Sequence, residues 1–257
     1  NYSMRIVLLT QDEPFYLPRS INYLAQNLPE NTEITSAILF DVSPFGKKET
    51  FYEKARKTLR IFGFRFFIHY AFKYIVQRFK PSQQMSNVLK KNGIAEVRLK
   101  KGVNHKESLR KIKSYRPDLL ISIAGNQIFK KELLELAPKG CLNLHTALLP
   151  KYRGLMPSFW VLKNNEMETG VSVFFVDEGI DSGPILVQER IPIGNMTQEE
   201  LINVSKEVGM KAIVNSIKLI KSGSFDLIEN PDEHMTYYTF PTKRDIKEFK
   251  SAGKKFF

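Results

Sequence analysis

The sequence predicts an α/β protein built on a largely parallel sheet with helices on both faces. Two observations carry this. Short apolar runs rich in β-branched residues alternate with helical patterns along most of the chain. And 257 residues at 42% hydrophobic, with 19 Phe and 10 Tyr, are enough for one sizeable core or two modest ones.

Met4–Thr10 (MRIVLLT) reads as a buried strand that ends in the polar turn Gln11-Asp12-Glu13-Pro14, before a helix near Leu17–Asn27. Glu33–Asp41 is a second strand, Ile94–Leu99 a weak third and Asp118–Ala124 a strong fourth. Cys141–His145, Val171–Val176 and Ile185–Ile193 follow as the fifth, sixth and seventh. Helical patterns lie between, at Lys106–Tyr115, Lys130–Leu136 and Ser158–Asn164. The last two strands are close enough in sequence for an antiparallel edge. Thr197-Gln198-Glu199-Glu200 fits a capping box, in which the threonine hydroxyl and Glu200 satisfy each other's backbone N–H groups. The helix it opens is expected to run to about Lys221, where Ser222-Gly223 ends it. These elements define a domain over 4–223 with a helical insertion at about 47–80, followed by a polar C-terminal extension over 224–257. Asn1-Tyr2-Ser3, ahead of Met4, is set aside.

Composition narrows the function classes. A single Cys excludes a disulfide framework and a four-cysteine zinc site, and His69, His105, His145 and His234 lack ligand spacing, so no metal is expected. Without a signal-peptide pattern or a membrane-length apolar run, a reducing cytoplasm is the expected location. Net charge is +12, but 18 Lys/Arg against two Glu fall between Lys54 and Arg116, leaving 21 against 25 elsewhere. The basicity is local and makes no case for nucleic acid.

Residues 51–80 stand apart. Arg65, His69, Lys73 and Gln77 recur every four residues along one side of a helix, and Ile61, Phe62, Phe66, Phe72, Tyr74, Ile75, Val76 and Phe79 fill the remainder. The segment reads as an inserted helix packed on its own domain or on a sister subunit. The other reading is a basic amphipathic helix lying on an anionic membrane.

Chemistry concentrates around the fifth strand. Asn143 and His145 are two apart, so they share a face, next to a turn at the carboxyl end where open parallel sheets bind ligands. Asp181 stands 38 residues beyond Asn143, between two glycines in Asp177-Glu178-Gly179-Ile180-Asp181-Ser182-Gly183-Pro184.

The run NLHTALLPKYRG, followed by ETGVSVFFVDEGIDSGPIL, resembles the signature of the 10-formyltetrahydrofolate-dependent formyltransferase domain, with the match strongest over 117–193. Glycinamide ribonucleotide, methionyl-tRNA and amino-sugar formyltransferases share that domain. The resemblance implies a Rossmann-like, doubly wound sheet with Asn143, His145 and Asp181 as catalytic residues. It implies a folate pocket built from Ile123, Ala124, Gly125, Gln127 and Ile128 together with Asp177, Glu178 and Gly179. Leu149, Pro150, Tyr152 and Arg153 are expected on the acceptor side, with a loop salt bridge as the other reading of Arg153.

The residue types suit the chemistry independently. When a neutral amine attacks a formyl carbon, an amide N–H can stabilise the developing oxyanion by about 3–4 kcal/mol. An imidazole can stabilise the same oxygen or move the amine proton, and a carboxylate can hold the imidazole and relay a proton to the leaving nitrogen. The resemblance makes 10-formyltetrahydrofolate the expected formyl-donor co-substrate.

Departures from the family pattern bear on the acceptor. Thr146 and Ala147 replace the usual Pro or Gly and then Ser after the histidine. The Gly-Ser-Asn phosphate loop of enzymes acting on glycinamide ribonucleotide is replaced by Gln11-Asp12-Glu13-Pro14-Phe15. The chain also lacks length for the extra C-terminal domain of enzymes acting on methionyl-tRNA. The acceptor is thus read as a small primary amine, a nucleotide-linked amino sugar. Glycinamide ribonucleotide, methionyl-tRNA and a non-catalytic folate-binding module stay open as alternatives. Nucleic acid is not expected as a partner, whereas a homo-oligomer and membrane contact through 51–80 are left open. The basic stretch Lys90–Arg116 reads as a diphosphate holder or a solvated helix face. Cys141 reads as a packed hydrophobe, and Phe159-Trp160 as core or pocket wall.

Overall fold

In the computed structural model, β1 (Met4–Gln11) shows how the two cores arise: Ile6 and Leu8 enter one, Val7 and Leu9 the other. The structure describes residues 2–42 and 49–257; positions 47 and 48 of the expected insertion lie outside them. β2 (Thr32–Phe40), β3 (Ala95–Val97), β4 (Leu119–Ile123) and β5 (Cys141–His145) join β1 in parallel, in the order β3-β2-β1-β4-β5. A two-residue β6 (Arg153–Gly154) leaves this sheet and pairs with β9 (Tyr237–Tyr238). β7 (Glu168–Phe175) and β8 (Ile185–Pro192) complete a seven-stranded sheet with two antiparallel pairings. The expected α/β class and mostly parallel sheet are present.

Helices α1 (Leu17–Gln26), α4 (Met85–Lys91), α7 (Pro157–Lys163) and α8 (Gln198–Ser222) contribute to the larger core, and α5 (Lys106–Ser114) and α6 (Lys131–Leu134) to the smaller. The capping box at Thr197 and Glu200 opens α8, and Gly223 in the left-handed conformation closes it.

Three expectations change. The single helix over 51–80 is two, α2 (Phe51–Phe62) and α3 (Phe64–Arg78), because Gly63 takes φ 89° between them. Helix α4 was not expected. The polar extension carries α9 (Lys243–Ser251), opened by a Thr242–Asp245 capping box. Its Ile246 and Phe249, with Phe256, enter the larger core, where Phe249 stacks 4.9 Å from Phe159. Phe159 and Trp160 are both core residues. No helix among the described residues is long and apolar enough to cross a membrane.

The strand order reverses between β1 and β4, so the connections leave in opposite directions there. A crevice at the carboxyl ends of the strands is the geometric result.

Candidate active site

Period-two alternation along β5 sends Leu142 and Leu144 into the larger core and turns Cys141, Asn143 and His145 to the other face. Burial pushes the Cys141 thiol up to about 12, which leaves it inert packing. The imidazole of His145 is buried, with Nε2 2.6 Å from the Tyr152 carbonyl oxygen. A carbonyl only accepts, so Nε2 carries the proton and Nδ1 is left facing Asp181 Oδ2 at 3.6 Å. The Asn143 carboxamide is half-buried and has no hydrogen-bond partner among the described residues.

Asp181 is held from two sides. The Gly154 N–H donates to Oδ2 at 2.8 Å, and Asn230 Nδ2 donates to the Asp181 carbonyl at 2.8 Å and the Gly183 carbonyl at 2.9 Å. Asp181 itself takes φ 50°, a left-handed conformation that aspartate tolerates better than most residues. Gly154 must be glycine: its φ is 99°, and a Cβ there would strike the Tyr238 carbonyl across the β6–β9 pair.

Asn143, His145 and Asp181 line one cleft of about 900 Å³. Of the expected folate-pocket residues, Ala124, Gly125, Gln127, Ile128, Asp177, Glu178 and Gly179 line it too. Ile123 does not, being fully buried in the core with its carbonyl accepting from Thr10 Oγ1 at 2.7 Å. The 177–181 loop is fixed locally, since Asp177 Oδ1 accepts from Gly179 N at 2.9 Å and Ser182 Oγ at 2.6 Å.

The expected acceptor residues fall elsewhere. Leu149 packs on Phe174 and Ile185, and the Pro150 carbonyl accepts from Thr236 N at 3.4 Å. The Tyr152 hydroxyl donates to Glu166 Oε1 at 2.6 Å; burial and that carboxylate push its pKa up. Arg153 is 4% exposed, with Nη1 2.7 Å from Asp232 Oδ1 and Nη2 donating to the Asn230 carbonyl and Oδ1 at 3.0 Å. None of the four lines the cleft. Pro150, Tyr152 and Arg153 form a clamp between the loop leaving β5 and the C-terminal extension, while Leu149 is held by β7 and β8. Asn230, the hub of that clamp, was not singled out by the sequence.

Cations enter from elements the sequence did not connect to the site. Lys54 and Lys57 of α2 and Lys206 of α8 line the cleft, as does Phe240 of the extension. Lys57 pairs with Glu49 at 3.8 Å and lies 4.7 Å over the Phe240 ring. Lys206 has no ion-pair partner among the described residues, and burial pulls its ammonium below the usual lysine range. No residue of the Lys90–Arg116 stretch lines the cleft, and the Lys/Arg residues of α5 are solvent-facing.

Beside the cleft, Glu13 folds back on the start of α1. Its carboxylate accepts from Tyr16 N at 2.9 Å and Leu17 N at 3.0 Å, and also from Phe15 N. Burial pushes its pKa up despite these bonds. The amide donors that a helix N-terminus offers an anion are therefore taken by the chain's own carboxylate.

The chain matches the family model described as Formyl transferase over residues 71–217, more than half its length. It belongs to the formyl transferase family. The residues read above as its signature lie inside the matched span. A methionyl-tRNA formyltransferase from Kosmotoga olearia is 39% identical over 150 residues, which cover 56% of this chain and 47% of that protein. The chain thus spans about half the length of the curated relatives it matches. Among solved structures, a sugar N-formyltransferase from Shewanella sp superposes with a TM-score of 0.60 at 17% identity, over 96% of this chain and 86% of the other. A phosphoribosylglycinamide formyltransferase from Anaplasma phagocytophilum gives 0.64 at 14% identity, over 93% of this chain and 100% of the other. At these identities the structures speak for the fold.

Proposed function

We propose that this chain transfers a formyl group from 10-formyltetrahydrofolate to the primary amine of a small anionic acceptor, a nucleotide-linked amino sugar. The observation that supports transfer is the convergence of Asn143, His145 and Asp181 in one cleft, with the imidazole pinned so that Nδ1 faces the carboxylate.

The residues divide the work as follows. The Asn143 carboxamide, on the cleft wall, donates to the formyl oxygen as it becomes negative. His145, held at Nε2 by the Tyr152 carbonyl, presents Nδ1 to take the proton shed by the attacking amine. Asp181, fixed by the Gly154 N–H, lies beside the imidazolium that results and passes the proton toward the departing nitrogen. The new C–N bond forms to the acceptor, the old one to the folate breaks, and the donor leaves as tetrahydrofolate. The 124–129 and 177–179 loops, apolar at Ala124, Ile128 and Phe129, offer the walls for a flat heterocycle.

The acceptor rests on two features. Lys54, Lys57 and Lys206 bring three ammonium groups to a cleft that also holds Glu49, Asp177, Glu178 and Asp181, and they are the groups offered to a diphosphate. At the α1 N-terminus Glu13 occupies the N–H groups of Phe15, Tyr16 and Leu17 and sets a carboxylate where a ribonucleotide phosphate would have to sit. A second reading, transfer to methionyl-tRNA, is favoured by the 39% identity to a relative of that name.

The test is to mix the chain and 10-formyltetrahydrofolate with a nucleotide-diphosphate amino sugar, glycinamide ribonucleotide or methionyl-tRNA in separate reactions, following tetrahydrofolate release by absorbance. Release should accelerate with the amino-sugar nucleotide alone. Acceleration only by methionyl-tRNA would establish the second reading, and release at one rate regardless of amine would overturn both.

A further inference from the structure

Helix α3 sits on the protein with a mixed side in: Phe66 packs on the larger core, 4.4 Å from the Phe62 ring, and polar groups flank it. His69 Nε2 is 2.7 Å from Glu199 Oε2, and Lys73 Nζ is 2.8 Å from Glu199 Oε1, in the first turn of α8. The Tyr70 and Tyr16 hydroxyls are 3.3 Å apart, and Phe257 stacks on the His69 ring at 3.9 Å. These contacts fix the rotation of the helix. What they turn outward is a run of large apolar side chains: Phe64 (68% exposed), Ile68 (47%), Phe72 (66%), Ile75 (55%) and Phe79 (81%). Their spacing of four, four, three and four residues makes one continuous stripe. α3 contains no fully buried residue, and nothing among the described residues covers the stripe. Monomeric proteins rarely leave a contiguous face of this kind in water.

Charge selects the occupant. Residues 64–95 contain no Asp or Glu, and Arg65, Arg78 and Lys80 are exposed beside the stripe. A second copy docked about a two-fold axis would set these cations against their own equivalents with no carboxylate on the face to answer them. From Phe64 to Phe79 the stripe is about 22 Å long, too short to cross a bilayer but suited to lying in its interface. Aromatic and aliphatic side chains flanked by arginine and lysine are what an anionic headgroup layer accommodates. We propose that the outward face of α3 docks this protein onto an anionic lipid surface. This stands independently of the proposed transferase reaction. It has one consequence for it: α2, joined to α3 at Gly63, supplies Lys54 and Lys57 to the cleft, so the cleft would lie next to the docked face.

The experiment is vesicle flotation of the whole chain with phosphatidylcholine alone, or with about one-third phosphatidylserine, at low and at physiological salt. A variant carrying Phe64→Ser, Phe72→Ser and Phe79→Ser is run beside it, with circular dichroism to verify its fold and sedimentation velocity on both proteins. The expected result is flotation with the anionic vesicles only, weakened by salt and lowered by about tenfold or more in the variant. No flotation with anionic vesicles, or equal flotation of the variant, would overturn the proposal. So would a wild-type dimer that the three substitutions dissolve, since the stripe would then be an interface between copies.

Discussion

Strand β5 and helix α3 depart from hydrophobic-inside patterning in opposite directions. β5 is covered on both sides, yet it carries a carboxamide and an imidazole at its end, the former without a partner among the described residues. α3 is on the surface, yet it turns His69 and Lys73 inward beside Phe66 and displays Phe64 and Phe72. The α3 departure costs stability, since an exposed phenyl ring forgoes burial, and the β5 departure leaves an amide facing the cleft with no protein partner among the described residues. Departures of this kind persist where a binding partner later answers them. On β5 the answering group is read as a reacting carbonyl, and on α3 as a lipid headgroup layer.

The comparison is most easily broken at β5. Asn143→Ala, His145→Ala and Asp181→Ala should each lower formyl transfer by about a hundredfold or more, with the far-ultraviolet circular dichroism unchanged. Full turnover in any one of them would remove that residue from the proposed chemistry.

At α3 the informative change is Glu199→Gln, which leaves His69 and Lys73 without their carboxylate. Loss of charge-assisted bonds should weaken docking of the helix by about 1–2 kcal/mol, read as faster hydrogen exchange confined to α3. Burial pushes the Glu199 carboxyl up, but the Lys73 and His69 bonds and charges outweigh it, so the pKa lies below the usual value. A lowered carboxylate stabilises the fold above its unfolded pKa, and that contribution is lost as pH falls through the folded value. Acidification through that lowered folded value should therefore reproduce the substitution.

The smallest effect sharpens the contrast. Phe72→Ser and Phe79→Ser, outward on α3, should change unfolding free energy in urea by no more than about 0.5 kcal/mol. A larger loss would mean that the stripe is packed rather than presented.

What the sequence made legible follows from the range of the forces involved. The strands and the trio could be read because period-two alternation, turn residues and the run from Asn143 to Asp181 are local signals. The lysines at the cleft could not, since Lys54, Lys57 and Lys206 come from helices distant in sequence. Nor could the facing of α3. The stripe Arg65, His69, Lys73 and Gln77 was visible, but the side it turned to depended on Glu199, 130 residues away. Helix α9 escaped because only Ile246 and Phe249 of its nine residues are buried. Pro150, Tyr152 and Arg153 lie off the cleft because their partners Thr236, Asn230 and Asp232 are in the extension that read as a polar tail, and Leu149 because it packs on β7 and β8.

Asn230 ties that extension to chemistry it never touches. A single side-chain amide spans two turns of the Asp181 loop while its own oxygen and carbonyl anchor Arg153, next to the glycine that grips the Asp181 carboxylate. The separation between imidazole and carboxylate is thereby set by a residue in neither loop. A change at this one splice would detune the pair while leaving every reacting group intact.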